Sequence, residues 1–257
     1  MDYYVGNGIY DFLMECDNRD HFYWTSGNLW MLVYGDDKQN PCVLTVASGS
    51  ELGSPVSEYE KRAVQVGKQM VSGSDIPLNF IRFNPSHPIQ SVQYWEYTNT
   101  PMKKLEDLSS DGLKKRMSEY GLRINSMIAH KSINDRSSSP YHDWQRTHLG
   151  SSVTVADIDL IRFVDERPKE IIELKRSYIE LEKWEPYRKD YSNFVLISKL
   201  AEQLSLDFYI VYNRRTKTPF FDDVSRLKVF EFDHRMKEYC RLMGYKTINQ
   251  FANEKET

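Results

Sequence analysis

Residues 156–177 read ADIDLIRFVDERPKEIIELKRS, and four charged side chains interrupt two otherwise apolar runs. Asp157 and Asp159 alternate in the first run, Glu173 and Lys175 in the second. Successive side chains of a strand point to opposite faces, so each pair shares one face of its strand. A hairpin turning near 165–169 makes the two strands neighbours and converges three carboxylates and one ammonium on a single patch. Unpaired carboxylates beside apolar strands are costly unless a cation compensates them. Mg²⁺ takes hard oxygen ligands and keeps several waters, so Asp159, Glu173 and one backbone carbonyl make a sufficient open site. A metal there lowers the pKa of a water and stabilises charge on a phosphate, while Lys175 orients the water or screens the oxyanion. The chemistry this pattern suits is phosphodiester hydrolysis.

The elements that must position these residues are legible around them. Ser109, Ser110 and Asp111 can cap a helix in which Leu113, Met117, Tyr120, Ile124 and Ile128 follow helical spacing. The polar stretch HKSINDRSSSPYHDWQRTHLGSS reads as loop with one short turn. VTVADIDLIRFV then reads as one strand, DERPK as a turn and EIIELK as the next strand. A helix carrying Phe194, Ile197, Leu200, Ala201 and Leu204 leads to the strand LDFYIVYN, a short strand LKVFEF, and a last helix with Met236, Tyr239, Cys240 and Met243.

The first half predicts a similar series: a short helix over 9–16, strands NLWMLVYG and CVLTVAS about a turn at DDKQNP, a helix with Tyr59, Ala63, Val66 and Met70, and the strand IPLNFIRF. Shifted by 128 residues, DDKQNPCVLTVAS lies over VDERPKEIIELKR with one position of slack in the turn. This pattern predicts an internal duplication. It sets Met31 under Asp159, Thr45 under Glu173 and Ala47 under Lys175, a copy without the charges. The expected organisation is an N-terminal α/β lobe over 1–108 and a second domain over 109–257.

The spacing D-x(13)-E-x-K on consecutive strands, with a helix before and a helix-strand unit after, resembles the PD-(D/E)xK, or restriction-endonuclease-like, superfamily of nucleases. ADIDLI followed by IIELKR is similar to members that carry G-E-I-D-L-I and a following V-E-V-K. The resemblance covers residues 113–232. It implies a mixed sheet flanked by helices in the C-terminal lobe, with the N-terminal α/β lobe as a degenerate copy. It also implies a metal-dependent, endonucleolytic phosphodiesterase that leaves a 5′-phosphate and prefers DNA to RNA. By it, Asp159 and Glu173 are ligands of Mg²⁺, for which Mn²⁺ can substitute; the Leu174 carbonyl is a third ligand and Lys175 the catalytic lysine. Ile158 stands where the motif name has Pro. Asp157 occupies the Glu of G-E-I-D, which leaves open whether Asp157 or Asp159 leads. Many members take a further acid from the first helix, and Glu119 is the carboxylate well inside this one.

Around the hairpin, the stretch RSYIELEKWEPYRKDY interleaves Arg176, Lys183, Arg188 and Lys189 with Tyr178, Trp184, Tyr187 and Tyr191. Cations for phosphates beside rings for bases is the composition of a contact with single strands or distorted duplex. Arg214, Arg215 and Lys217 form a basic turn, and HDWQR places His142 and Arg146 ahead of the Asp strand. The surrounding composition is ordinary: 28% charged, 13% aromatic, net charge −3 and pI near 6.1. A basic coat is thereby excluded, and nucleic acid must meet a local patch. Split after Ile128, the first half carries 12 Lys+Arg against 16 Asp+Glu, the second 22 against 21, which puts that patch in the second half. No apolar run of membrane-spanning length and no leader pattern occurs, so a cytoplasmic, non-membrane protein is expected. Cys16, Cys42 and Cys240 are too few and too scattered for a disulfide framework or a zinc site. The phosphate-binding loop, the H-E-x-x-H motif and the Gly-rich dinucleotide fingerprint are all absent. The alternative from another class is a non-catalytic binding module that keeps the nuclease fold. Its acidic, aromatic-rich N-terminal lobe would grip a protein partner or a second copy of the chain.

Overall fold

A computed structural model of the chain describes residues 7–16, 21–97, 103–125, 127 and 139–253. In chain order the elements are α1 (Gly8–Glu15), β1 (Phe22–Tyr23), β2 (Leu29–Gly35), β3 (Pro41–Gly49), α2 (Glu58–Val71), β4 (Leu78–Phe83), β5 (Ser91–Tyr97), β6 (Lys103–Ser109), α3 (Ser110–Glu119), α4 (Pro140–His148), β7 (Thr154–Asp157), β8 (Leu160–Val164), β9 (Arg167–Ser177), α5 (Tyr191–Leu204), β10 (Asp207–Lys217), β11 (Phe220–Phe232), β12 (Cys240–Lys246) and α6 (Ile248–Asn253). They divide into two compact units, one built on Thr25–Asp157 and the other on Tyr4–Trp24 with Ile158–Thr257. The division therefore runs at 24/25 and 157/158 rather than at 108/109. Among the described residues no helix is long and apolar enough to cross a membrane.

Unit one is a mixed sheet in the order β6-β5-β4-β3-β2-β7. β3 and β4 run parallel, joined by the crossover helix α2, and every other neighbour is antiparallel. Helix α2 begins at a capping box in which the Ser57 side chain and Glu60 satisfy each other's backbone donors. On one sheet face Leu32, Tyr34, Ala47, Ile81 and Phe83 pack with Leu113 and Met117 of α3 and with Tyr141 and Trp144 of α4. Helix α3 is capped by Ser109, as expected, but stops after Glu119 because Gly121 turns the chain with φ +84°. Leu122 and Ile124 pack against the same core from beyond the helix, and Ile128 lies outside the described residues. Helix α4 replaces part of the expected loop. Ser139 caps it, accepting from His142 N, and Pro140 opens its first turn.

Unit two is a mixed sheet in the order β1-β8-β9-β10-β11-β12. β8 and β9 form a hairpin whose two central residues, Asp165 and Glu166, both take positive φ (48° and 61°), the backbone of a tight two-residue turn. α5 crosses over from β9 to the parallel strand β10. One core cluster gathers Ile9 and Leu13 of α1 and Phe251 of α6 with Leu160, Ile172, Val211 and Val229. The helix expected to carry Met236 and Met243 is instead a turn followed by β12, which pairs antiparallel with β11. Leu242, Met243 and Tyr245 are exposed on this outer strand, so burial imposes no two-residue period on its sequence.

The two sheets share one plan: an outer strand, a hairpin, a helical crossover to a parallel strand, and two further antiparallel strands. β1 precedes β2 in the chain yet pairs with β8, and β7 precedes β8 yet pairs with β2. The ladder pairs Leu32↔Thr45 and Leu160↔Ile172 correspond, which sets Met31 under Asp159, Val46 under Glu173 and Ser48 under Lys175. The expected Thr45 and Ala47 are off by one. The β2–β3 connection is longer than the β8–β9 turn, and a slip of one residue moves a side chain to the opposite face. Ala47 indeed packs on the face of α3 and α4, whereas Ser48 bonds Glu60 of α2.

Where unit two has its charged hairpin, unit one has a closed polar knot. Glu60 and Arg82 are 4% and 2% exposed and meet at 2.9 Å. Ser48 and Ser50 donate to the same Glu60 oxygen, and Ser57 N donates to the other. Burial opposes the charge of Glu60, but the hydrogen bonds from Ser57, Ser48 and Ser50 outweigh it and hold the pKa below the usual value. This stabilisation is complete above the ordinary glutamate pKa of about 4.3 and is lost as pH falls through the lower folded pKa. Glu60→Gln is expected to cost about 3–5 kcal/mol, because Arg82 stays buried without a counter-charge. The substitution should also flatten the acid loss of stability, and thermal melts between pH 7 and pH 3 check both.

Candidate functional site

The run expected as one strand, VTVADIDLIRFV, is two strands in two sheets. β7 ends at Asp157, opposite Leu32 in unit one, and β8 begins at Leu160 in unit two. Ile158 and Asp159 lie between them, outside any strand. Asp157 and Asp159 therefore do not share a strand face. Asp159 leads into the hairpin, and its Oδ2 accepts the backbone N–H of Leu174 at 2.9 Å. An extended residue projects its N–H and C=O to the same side, so the Leu174 carbonyl also faces the β8 edge. Extending the ladder one step beyond Leu160↔Ile172 brings Asp159 opposite Glu173.

Glu173 and Lys175 alternate on β9 and meet at 2.6 Å between Oε1 and Nζ. The Lys175 ammonium also lies 5.3 Å from the centre of the Phe194 ring, which places this face of β9 under the crossover helix α5. Burial works against the lysine's charge, yet Glu173, Asp159 and then Asp190 at the start of α5 outweigh it and raise the pKa above the ordinary amine value. Lys175 is thus a cation that donates to Glu173.

Three supports of this patch had no warning in the charge pattern. Tyr10 of α1 donates its hydroxyl to the Asp159 carbonyl at 2.9 Å and stacks on Trp24, with ring centres 5.2 Å apart. Asp190 adds negative potential at Lys175. Asp222 receives Arg176 at 2.6 Å, Arg215 at 2.9 Å and the Gly8 N–H at 3.2 Å, tying α1 to β9 and the β10–β11 hairpin. Position in sequence pointed elsewhere, since α1 lies more than 140 residues before the hairpin it supports.

The remaining candidates fall into place singly. Glu119 ends α3 in unit one, where Arg116 binds it at 2.8 Å. His142 and Arg146 are on α4 of unit one: His142 packs edge-on to Trp30 and bonds Ser139, and Arg146 binds Asp143. Trp184, 1% exposed, stacks flat on Tyr212 with ring centres 4.2 Å apart, so it is core and presents no face to a base. Lys183 closes one 3-10 turn, and Arg188 and Lys189 form another, with Lys189 over the Tyr187 ring. Arg214 is held by Glu180 at 2.8 Å, while Lys217 lies over the Tyr178 ring. Cys16, Cys42 and Cys240 are free and partly buried.

Among the described residues, no group of three or more His, Cys, Asp or Glu side chains gathers as a metal cage. The donors at the hairpin are two carboxylates from adjacent positions and one carbonyl, all hard oxygens. That set is chemically suited to a divalent ion that retains most of its waters, such as Mg²⁺. If these residues hold one, Mg²⁺ or Mn²⁺ should raise the melting temperature of unit two by mass action, by about 2.7 kcal/mol of stability at a hundredfold excess over Kd. Asp159→Ala should remove the rise. An equal metal response in the variant would place the ion elsewhere.

No family model matches the chain, and neither a curated protein nor a solved structure matches it, so its function is argued from its own residues.

Proposed function

We propose that unit two is a metal-dependent nuclease of the PD-(D/E)xK type that hydrolyses phosphodiester bonds, with DNA favoured over RNA. The observation that carries this reading is the convergence of Asp159, the Leu174 backbone, Glu173 and a protonated Lys175 on one hairpin. The scaffold supports it. In unit two the order is helix, three antiparallel strands, crossover helix and parallel strand, with α1 in the place expected of α3. Unit one, on the same strand plan but with Met31, Val46 and Ser48 at the three positions, fits a degenerate copy.

Asp159 and Glu173 would hold the ion, joined by the Leu174 carbonyl. When bound, Mg²⁺ supplies Lewis acidity to a phosphate oxygen and lowers the pKa of a water. Lys175 donates to the phosphate oxygens and screens charge as the phosphorus becomes five-coordinate. Glu173 keeps the ammonium in position, and Tyr10 fixes the backbone from which Asp159 projects. A water in line with the leaving 3′-oxygen then yields a 5′-phosphate and a 3′-hydroxyl. A second reading, a binding module without catalysis, draws on the count of two side-chain carboxylates at the hairpin.

The test is cleavage of end-labelled single-stranded DNA, duplex DNA and single-stranded RNA, with Mg²⁺, Mn²⁺ or EDTA. Wild type should cut only with metal, and Lys175→Ala should be about 10²–10³-fold slower, the usual cost of one electrostatic donor. A folded wild type that cuts nothing under any of these conditions would favour the binding module.

A further inference from the structure

β9 ends at Ser177, opposite Arg214 of β10, and β12 covers β11 only over Leu227–Phe232. The pairs Arg215↔Asp222, Thr216↔Phe221 and Lys217↔Phe220 thus extend β10 and β11 beyond their neighbours as a two-stranded wing. Its tip brings exposed rings and cations together. Phe220 and Phe221 are 65% and 48% exposed, and Tyr178, just past the end of β9, is 47% exposed. The Arg215 guanidinium lies 5.1 Å from the Phe220 ring centre and the Lys217 ammonium 4.7 Å from that of Tyr178. The segment RRTKTPFF, residues 214–221, carries three cations, of which Arg214 is paired with Glu180 and Arg215 with Asp222, while Lys217 stands at the exposed tip.

Two phenylalanines in water add nothing to a two-stranded ribbon that is already marginal by itself. Exposed rings grouped with cations mark a binding surface, and the pairing of π-faces with ammonium and guanidinium groups is what binds bases and phosphates of an unpaired strand. The wing also leaves the carboxyl ends of the parallel strands β9 and β10, the same ends at which Lys175 lies beside Tyr212. From Tyr212 to Lys217 the strand advances roughly 17 Å, a reach of a few nucleotides.

We propose that this wing, through Phe220, Phe221, Tyr178 and Lys217, is a docking site for unpaired nucleotides a few positions from the bond cut at Lys175. The inference rests on the nuclease reading for the chemistry, and on its own geometry for the substrate class: single strands, or duplexes with frayed or flapped ends, in preference to blunt duplex.

The experiment is fluorescence anisotropy in EDTA, so that nothing is cut. Fluorescein-labelled 20-mers of single-stranded DNA, single-stranded RNA and blunt duplex are titrated with wild type, Phe220→Ala/Phe221→Ala and Lys217→Glu. Wild type should bind at least one single strand more tightly than duplex. The double substitution should weaken that binding about tenfold or more, and Lys217→Glu should weaken it too. Both wing variants change exposed side chains, so an unchanged melting temperature certifies their fold. Single-strand affinity unaltered in both wing variants overturns the proposal, as does a wild type that prefers blunt duplex. So does a wild type that binds no oligonucleotide but dimerises through the wing, read as a loss of dimer on gel filtration of the double variant. Wing-dependent binding without any cutting in Mg²⁺ would uphold the wing and sink the nuclease, whereas cutting with an indifferent wing would do the reverse.

Discussion

Each sheet is closed on its hairpin side by a strand that lies, by position in the chain, next to the strands of the other sheet. β1 gives its hydrogen bonds to β8 and β7 gives its own to β2. Without these outer strands, β8 and β2 would present open edges of unpaired N–H and C=O groups. The exchange also explains why unit two is discontinuous. Its helix α1 and strand β1 come from the start of the chain, and unit one occupies the interval between its first and second strands. The placement of Asp159 follows from this, because the chain passes from one sheet to the other at Ile158 and Asp159, and the second of these must turn into β8.

Similar strand plans solve the burial of charge in two ways. In unit one, Glu60 and Arg82 neutralise each other and serine hydroxyls use up the remaining acceptor capacity, which leaves a closed knot beneath α2. In unit two, the charges rise from the strands themselves. Lys175 answers Glu173, while Asp159 is engaged by a backbone donor and by a tyrosine through its carbonyl. The first arrangement is a mutual satisfaction suited to stability. The second gathers acceptors and a fixed cation at strand ends, the arrangement that accommodates an incoming charged group.

The hairpin was legible because its signals are local: alternating charges, a short polar turn, and a following helical stripe at Phe194, Ile197, Leu200 and Ala201. The likeness of the two strand plans was legible for the same reason, since hairpin and crossover recur in order. What stayed hidden was long-range. Residues 153–164 read as one unbroken strand-like run with no Gly or Pro, and VTVADIDLIRFV carries no turn signal at the point where hydrogen bonding changes from β2 to β9. Helix α3 carries good caps and a good stripe, but a stripe does not say which sheet will cover it. The helix α4 had a readable start in Ser139 and Pro140, obscured by the polar composition around it. β12 escaped because an outer strand exposed on both faces has no burial period to read.

The discontinuity has a consequence for the order in which the protein is made. Residues 8–23 leave the ribosome about 137 residues ahead of β8, the strand on which β1 must close. At ~5–20 residues per second that is an interval of roughly 7 to 30 s. For this time α1 carries Ile9 and Leu13 with no sheet to bury them, while unit one gains its last strand, β7, just as β8 begins to emerge. Vectorial synthesis thus completes the sheet of unit one before the charged hairpin of unit two.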